Sequence, residues 1–379
     1  MTNPRRMMMA AAGAAGEVAN NVFKVGRNAK FQGGFGTTTE FSSPVQVGSL
    51  VKWATIHMAT NHNAGIRTDG TLWVWGVNNT GQLGLGHTTT PIIAPIQLGT
   101  ATNWSFVTMG SSRGNAINTD GELYCWGSNA SGQVGDGTIT TRSAPVQIGA
   151  LTNWASIDCG NNFTSALKTD GTLWVWGDSN PFGQLGQGNT VDKSSPVQVG
   201  TRTDWTDFSC GSSAMGGISG GRLFMWGSGS QGQTGHGNTT NTSSPVQIGT
   251  ATDWKSFSTK NKSSFAIKTD GTLWSWGDNN AGELGHGNTT TLSSPVQVGS
   301  LTDWSIIPRQ DSANSFSAIK TDGTVWVCGD ATQGNLGTGS TADISSPVQL
   351  GSRTDLVTTQ VNYYTGHWLD GDGIMTGCG

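Results

Sequence analysis

The chain has 379 residues, with 57 Gly, 16 Trp and only 3 Tyr, 12% charged residues and a formal net charge of -4. Gly without a strict every-third period, beside only 11 Pro, excludes collagen, and abundant Trp with low charge excludes wholesale disorder. The slightly acidic balance argues against a general nucleic-acid binder, and nothing approaches the roughly 20 apolar residues of a membrane span.

Residues 1–21, MTNPRRMMMAAAGAAGEVANN, read as a flexible N-terminal arm ahead of a single domain at 22–379. Arg5, Arg6, Met7, Met8 and Met9 are its expected partner-contact residues, ordering in a partner's groove. The Met and Ala run imitates a signal peptide, but its apolar core is weak for an h-region. Retention in a reducing cytosol is therefore expected. VFKVG at 22–26 reads as surplus, an edge strand or a lead-in, and residues 26–48 carry the end of a repeat whose beginning lies at the C-terminus.

From there one phrase returns seven times. Pro44, Pro95, Pro145, Pro196, Pro245, Pro295 and Pro347 each open a P-[VI]-Q-[VIL]-G segment, at spacings of 51, 50, 51, 49, 50 and 52. A second phrase leads with Trp53, Trp104, Trp154, Trp205, Trp254 and Trp304, with Leu356 in the seventh place. A third is GTLWVWG at 70–76, repeated at 121–127, 171–177, 221–227 and 271–277, with weaker copies at 323–329 and 373–379. Its last Trp falls at Trp75, Trp126, Trp176, Trp226 and Trp276. Thr-Asp-Gly before it suits a tight hairpin turn.

Four short strands per roughly 50 residues, with Gly-rich connections, is the spacing of a propeller blade. The expected fold is all-β: a seven-bladed β-propeller with four short antiparallel strands per blade. The N-terminal segment closes the ring against the C-terminal strands and removes free sheet edges. The eleven Trp named above are the expected blade-packing residues.

Candidate chemistry is sparse. His87, His236 and His286 lie in the repeated Gly-rich loop and read as turn residues, since Asp136 and Gln187 stand where His236 and His286 do. The Asp-Gly pairs beginning at Asp69, Asp120, Asp170, Asp270, Asp322 and Asp372 read as turn chemistry, because Ser219-Gly220-Gly221 replaces the motif in one unit. Five Cys read as buried free thiols, with Cys159 and Cys210 at equivalent positions and Cys328 and Cys378 in place of the blade-end Trp. No catalytic, cofactor-binding or metal residue is assigned, no cofactor is expected, and no enzyme activity is expected.

The phrases NNTGQLGLGHTTT (78–90), SNASGQVGDGTIT (128–140) and DNNAGELGHGNTT (278–290), with SSPVQVG and LWVWG, resemble the repeat of the RCC1 (regulator of chromosome condensation) family. That resemblance covers about residues 26–379 and implies a seven-bladed propeller. The family's best-known member implies nucleotide exchange on a small GTPase and docking on chromatin. Here units of 49 to 52 residues leave no room for a long wedge, and the tail has only Arg5 and Arg6. NPRRMMMAAAGAAG resembles the opening of proteins encoded by tailed marine bacteriophages, several of them taken to be virion components.

The expectation is a structural or interaction protein of a bacteriophage virion, a capsid decoration or tail-associated component, made in the host cytoplasm. Its partners would be other virion proteins, possible in many copies, with no nucleic acid. The alternative is an RCC1-like binding module of a bacterial cell, glycan-binding or GTPase- or chromatin-regulating. Glycan contact would need aromatic residues in loops, where Phe182 is a rare example, and the rims read as neutral.

Overall fold

The computed structural model describes residues 22–26, 34, 36–37, 41–46, 53–178, 181–308, 314–332, 334–351, 356–361 and 365–370. These residues form seven four-stranded antiparallel sheets, with no helix among them. In the first blade the strands are Trp53–Met58, His62–Arg67, Leu72–Gly76 and Ile92–Gln97, paired in chain order. The same order repeats in blades two to six, whose first strands begin at Trp104, Trp154, Trp205, Trp254 and Trp304. The first strands of blades one to five touch in succession and line the axis, whereas fourth strands pair only with the third strand of their own blade.

Burial follows that order. The second strands Arg113–Asn118 and Phe163–Lys168 are buried at every residue, because blades cover both of their faces. Fourth strands are half-exposed, and each carries its Pro on the outer edge. Proline has no N–H and interrupts an edge that another strand would otherwise extend.

The seventh blade is assembled from both ends of the chain. Its strands are Leu356–Val361, Thr365–Asp370, Val22–Gly26 and Phe41–Gln46. Val22–Gly26 pairs with Thr365–Asp370 along its whole length, from Val22 opposite Leu369 to Gly26 opposite Thr365. VFKVG is therefore the third strand of the closing blade, not a surplus. Five residues ending in Gly match the LWVWG strand they replace. The weak copy at 373–379, including Cys378, lies outside the described residues, as does the arm at 1–21.

Hydrophobic clusters run across blade boundaries. One joins Ala64, Ile66 and Val74 of blade one to Val107, Met109 and Trp126 of blade two. The last Trp of each LWVWG-type strand also makes a directed bond. Trp126, Trp176, Trp226 and Trp276 donate from Nε1 to the backbone carbonyls of Gln82, Gln133, Gln184 and Gln233 in the preceding blade, at 2.9, 3.1, 3.0 and 2.9 Å. Trp75 and these four are fully buried, and Trp53, Trp104, Trp154, Trp205, Trp254 and Trp304 are buried beside them.

Two further ties accompany the indole bond. In the connection after the third strand, the N–H of Gly86 reaches Ser143 O of the next blade at 2.8 Å, and the same bond recurs at Gly137, Gly188, Gly237 and Gly287. Gly36 of the closing blade makes it to Ile93 O of blade one at 2.9 Å, which joins the two ends of the ring. At the opposite rim the N–H of Trp154 donates to Gly121 O at 3.1 Å. Gly121 has φ +78, and a Cβ there would lie 2.2 Å from Thr152 O, so only glycine admits the approach.

Trp176→Ala, which empties a fully buried site and removes the bond to Gln133, is expected to cost about 3–5 kcal/mol in chemical denaturation. Gly135→Ala adds only a methyl group, but at φ +88 and 2.5 Å from Trp176 Nε1. It is expected to lower the denaturation midpoint as well, and an unchanged midpoint would mean that the lock tolerates displacement.

Candidate functional site

The Asp-Gly rim is built from one device. Asp69 Oδ1 accepts the N–H of Thr71 at 3.0 Å and its hydroxyl at 2.6 Å, and Thr71 Oγ1 accepts Trp73 Nε1–H at 2.8 Å. The chain repeats at Asp170, Thr172 and Trp174, at Asp270, Thr272 and Trp274, and at Asp322, Thr324 and Trp326. Hydrogen bonds from these threonines hold all four carboxyls below their ordinary range.

Trp73, Trp174, Trp274 and Trp326, the first Trp of their third strands, are half-buried at this rim, and a cation lies on the face of each, whereas blade two has Tyr124 there and Asn118 in place of the cation. Arg67 Cζ is 3.4 Å from the Trp73 centroid, Lys168 Nζ 3.7 Å from Trp174, and Lys320 Nζ 4.2 Å from Trp326. Lys268 Nζ is 4.9 Å from Trp274 and also pairs with Asp253 at 3.2 Å. In blade four, where Ser219 stands in place of the lysine, Arg202 supplies the cation 4.6 Å from the Phe224 ring and donates to Ser219 Oγ at 3.2 Å. Lys168 and Lys320 are each only 6% exposed, whereas Asp69, Asp120, Asp170, Asp270 and Asp322 face solvent. Apart from blade four, where Arg202 and Arg222 are exposed, this rim displays its anions and folds its cations onto aromatic rings, so the neutral character read from the sequence belongs to the opposite rim.

On that opposite rim, Asn78 Oδ1 accepts the N–H of Leu83 at 3.0 Å while its Nδ2 donates to His87 O at 2.9 Å. Asn129 and Asn279 do the same in their loops. His236 and His286 share one loop position and turn toward their own blade, whereas Leu85 stands there in blade one and His87, two residues on, is exposed. His236 Nε2 lies 3.3 Å from Val246 O and His286 Nε2 2.9 Å from Ser275 Oγ, while Asp136 pairs with Arg142 at 2.6 Å. Among the described residues no three His, Cys, Asp or Glu gather as a metal site. Phe182 is half-buried in its loop. A groove of about 570 Å³ runs between blades four and five, lined by Trp254, Trp274, Lys268, Gln247 and Pro295.

Around the axis, polar side chains cap the free edges of the first strands. His57 Nδ1 accepts the N–H of Met109 at 3.1 Å, Asp158 Oδ2 that of Cys210 at 3.0 Å, and Ser209 Oγ that of Thr259 at 3.3 Å. All three acceptors sit five residues into their strands and reach the same position of the next blade. An innermost strand has a ladder partner on one side only, and these contacts satisfy amides the ladder leaves over.

Buried basic side chains hook adjacent blades. Arg113, 1% exposed, donates to Asn161 O and Gly160 O at 2.6 Å each and also to Phe163 O. Lys260 Nζ of blade five likewise donates to Ser315 O of blade six, the carbonyl equivalent to that of Phe163. His62 hydrogen-bonds to the backbone of Arg113, and burial lowers its pKa from 6.5 to about 4, with the Arg113 charge adding to the shift. The sequence reading missed all of these; the only available signal was a basic residue where other repeats carry Gly, Phe or Ala. The four described cysteines, Cys125, Cys159, Cys210 and Cys328, are buried thiols. Arg5, Arg6, Met7, Met8 and Met9 lie outside the described residues.

Because the folded chain keeps His62 neutral down to about pH 4 and the unfolded chain does not, its contribution is full above pH 6.5 and is lost as pH falls to 4. The loss amounts to about 3 kcal/mol. His62→Phe is expected to flatten that part of the stability–pH curve, measured by denaturant titration at pH 7, 5.5 and 4.

The sequence model of the RCC1-like domain matches residues 21–369, and the chain belongs to that family. It is 28% identical to the ultraviolet-B receptor UVR8 of Arabidopsis thaliana over 212 residues, 54% of this chain and 48% of the receptor. It is 33% identical to the X-linked retinitis pigmentosa GTPase regulator of Canis lupus familiaris over 134 residues, 32% of this chain and 12% of that protein. The chain thus spans about half the length, or less, of these curated relatives. Among solved structures, human WBSCR16 superposes with a TM-score of 0.82 at 18% identity, covering 94% of this chain and 100% of that one. Prp20p of Saccharomyces cerevisiae gives 0.82 at 16% identity over 94% and 92%. At such identity these superpositions show the propeller fold.

Proposed function

We propose that this chain is a non-catalytic interaction propeller that docks protein partners on its Asp-Gly rim. The observation that carries the reading is the distribution of charge there. Carboxylates held by threonines face outward, while the neighbouring cations lie folded on indole faces. Such a face favours partners with a basic surface and steers their approach. Protein ligands are in keeping with the family: the Prp20p structure is described with binding to Gsp1p and histones, and yeast RCC1 has been solved bound to Kap60.

The setting we propose is a bacteriophage virion, with the chain as a capsid-decoration or tail-associated component made in the host cytoplasm. Its support is the resemblance of NPRRMMMAAAGAAG to phage proteins. Val22, next to the arm, pairs with Leu369 at the start of the third strand of its blade. In the other blades that point lies on the Asp-Gly rim, so arm and rim would address the same partner. A GTPase- or chromatin-regulating module is the second reading, favoured by the acidic rim, since histones are basic.

Mass spectrometry and immunogold microscopy of purified particles test the setting, with many copies per particle and regular labelling expected. Absence from particles would overturn it and leave the second reading. Cross-linking to the captured partner tests the rim. Asp170→Asn with Asp270→Asn and Asp322→Asn keeps an acceptor for each threonine and is expected to weaken capture at least tenfold with the fold intact. Undiminished capture by the triple variant would place the contact elsewhere.

A further inference from the structure

Several departures from the repeat meet at one boundary, the seam between blades five and six. Where the four seams between blades one and five carry a tryptophan on a glutamine carbonyl, this one has Cys328 Sγ 3.4 Å from the carbonyl of Glu283. Glu283 replaces the glutamine and is 1% exposed. Lys260, also 1% exposed, stands at the position of Gly110, Gly160 and Gly211. Phe316 takes the volume that the missing indole leaves. It pairs with Cys328, whereas Gly114, Thr164 and Ser264 pair with tryptophans, and it stacks on Phe265 at 4.5 Å. Lys260 Nζ lies 5.1 and 5.7 Å from those two rings while donating to Ser315 O. The first strand of blade six covers only Trp304–Ile306, ahead of Pro308.

Three titratable groups thus occupy a contact that is neutral and indole-locked at the four preceding seams. Burial, more than any neighbour, lowers the Lys260 ammonium to about 7 and raises the Glu283 carboxyl to about 7. Buried Asp278 raises Glu283 further, and Lys260 partly offsets the shift. The Cys328 thiol, pushed up by burial to about 12, stays neutral. Arg309, which follows Pro308, lies outside the described residues.

We propose that the seam between blades five and six is a pH-set joint, the place where the ring loosens and tightens with acidity while the indole-locked seams stay shut. Glu283 keeps its proton in the folded chain where the unfolded chain has lost it. Its contribution is full below pH 4.5 and gone above about 7. Lys260 behaves oppositely, with a contribution full above 10.5 and gone below about 7. The seam is weakest near neutral pH and firmer on both sides.

Hydrogen exchange on the full chain at pH 5.5, 7 and 8.5, corrected for the intrinsic rate, tests this. Amides of Val325–Gly329 are expected to exchange about tenfold faster at pH 7 than on either flank, one pH unit of linkage being worth about a factor of ten. The equivalent strand Arg222–Gly227 should show no such maximum. Lys260→Met is expected to remove the alkaline recovery and Glu283→Gln the acid one. A flat wild-type profile at Val325–Gly329, or a maximum that persists in the double variant, would overturn the proposal. The wild-type profile decides alone if a variant fails to fold.

Discussion

A four-stranded sheet of this size has two apolar faces and covers neither by itself. The stability of the whole chain therefore rests on the contact between one blade and the next. That contact is more than apolar burial. A fully buried indole fills the gap between blades, and its one polar atom is satisfied by a carbonyl on the neighbour, as Trp176 is by Gln133. Leaving that N–H unpaired in the interior would be costly, so the bond selects one seating of the two blades. The glycine two residues after the glutamine then packs on the indole itself, which couples the GQLG loop of one repeat to the LWVWG strand of the next.

The remaining polar residues of the interior follow from the same geometry. First strands surround the axis with one edge unpaired, and His57, Asp158 and Ser209 cap amides on that edge. Arg113 and Lys260 grip carbonyls of the following blade. Residue types that suggest chemistry in a sequence are engaged here in holding blades together. What the ring offers to other molecules is its rims, and the two differ: one neutral and loop-built, the other carrying ordered carboxylates above cations laid on tryptophan.

Much of this was legible before any coordinates. The seven PVQ phrases and their near-constant spacing contain the blade count, and the Asp-Gly turns predict the hairpins found at Asp69, Asp170, Asp270 and Asp322. The reading of VFKVG as surplus failed because GIMTGCG looked like the third strand already, and local pattern does not say which of two candidate strands pairs. The rim charge was misjudged for a related reason. Composition counts a lysine and an aspartate as cancelling, whereas burial on Trp174 removes Lys168 from the surface and leaves Asp170 exposed.

By itself the sequence determined the architecture, since period, turn residues and alternation are local properties that each repeat states again. Only the tertiary structure decided which side chains meet across a seam. Gln82 and Trp126 are 44 residues apart, and nothing in either repeat names the other as partner. The same holds for Lys260, Glu283 and Cys328, three isolated irregularities along the chain that become one buried group when blades five and six close. Contacts of that kind arise from ring closure, which sets distances between repeats that no single repeat encodes.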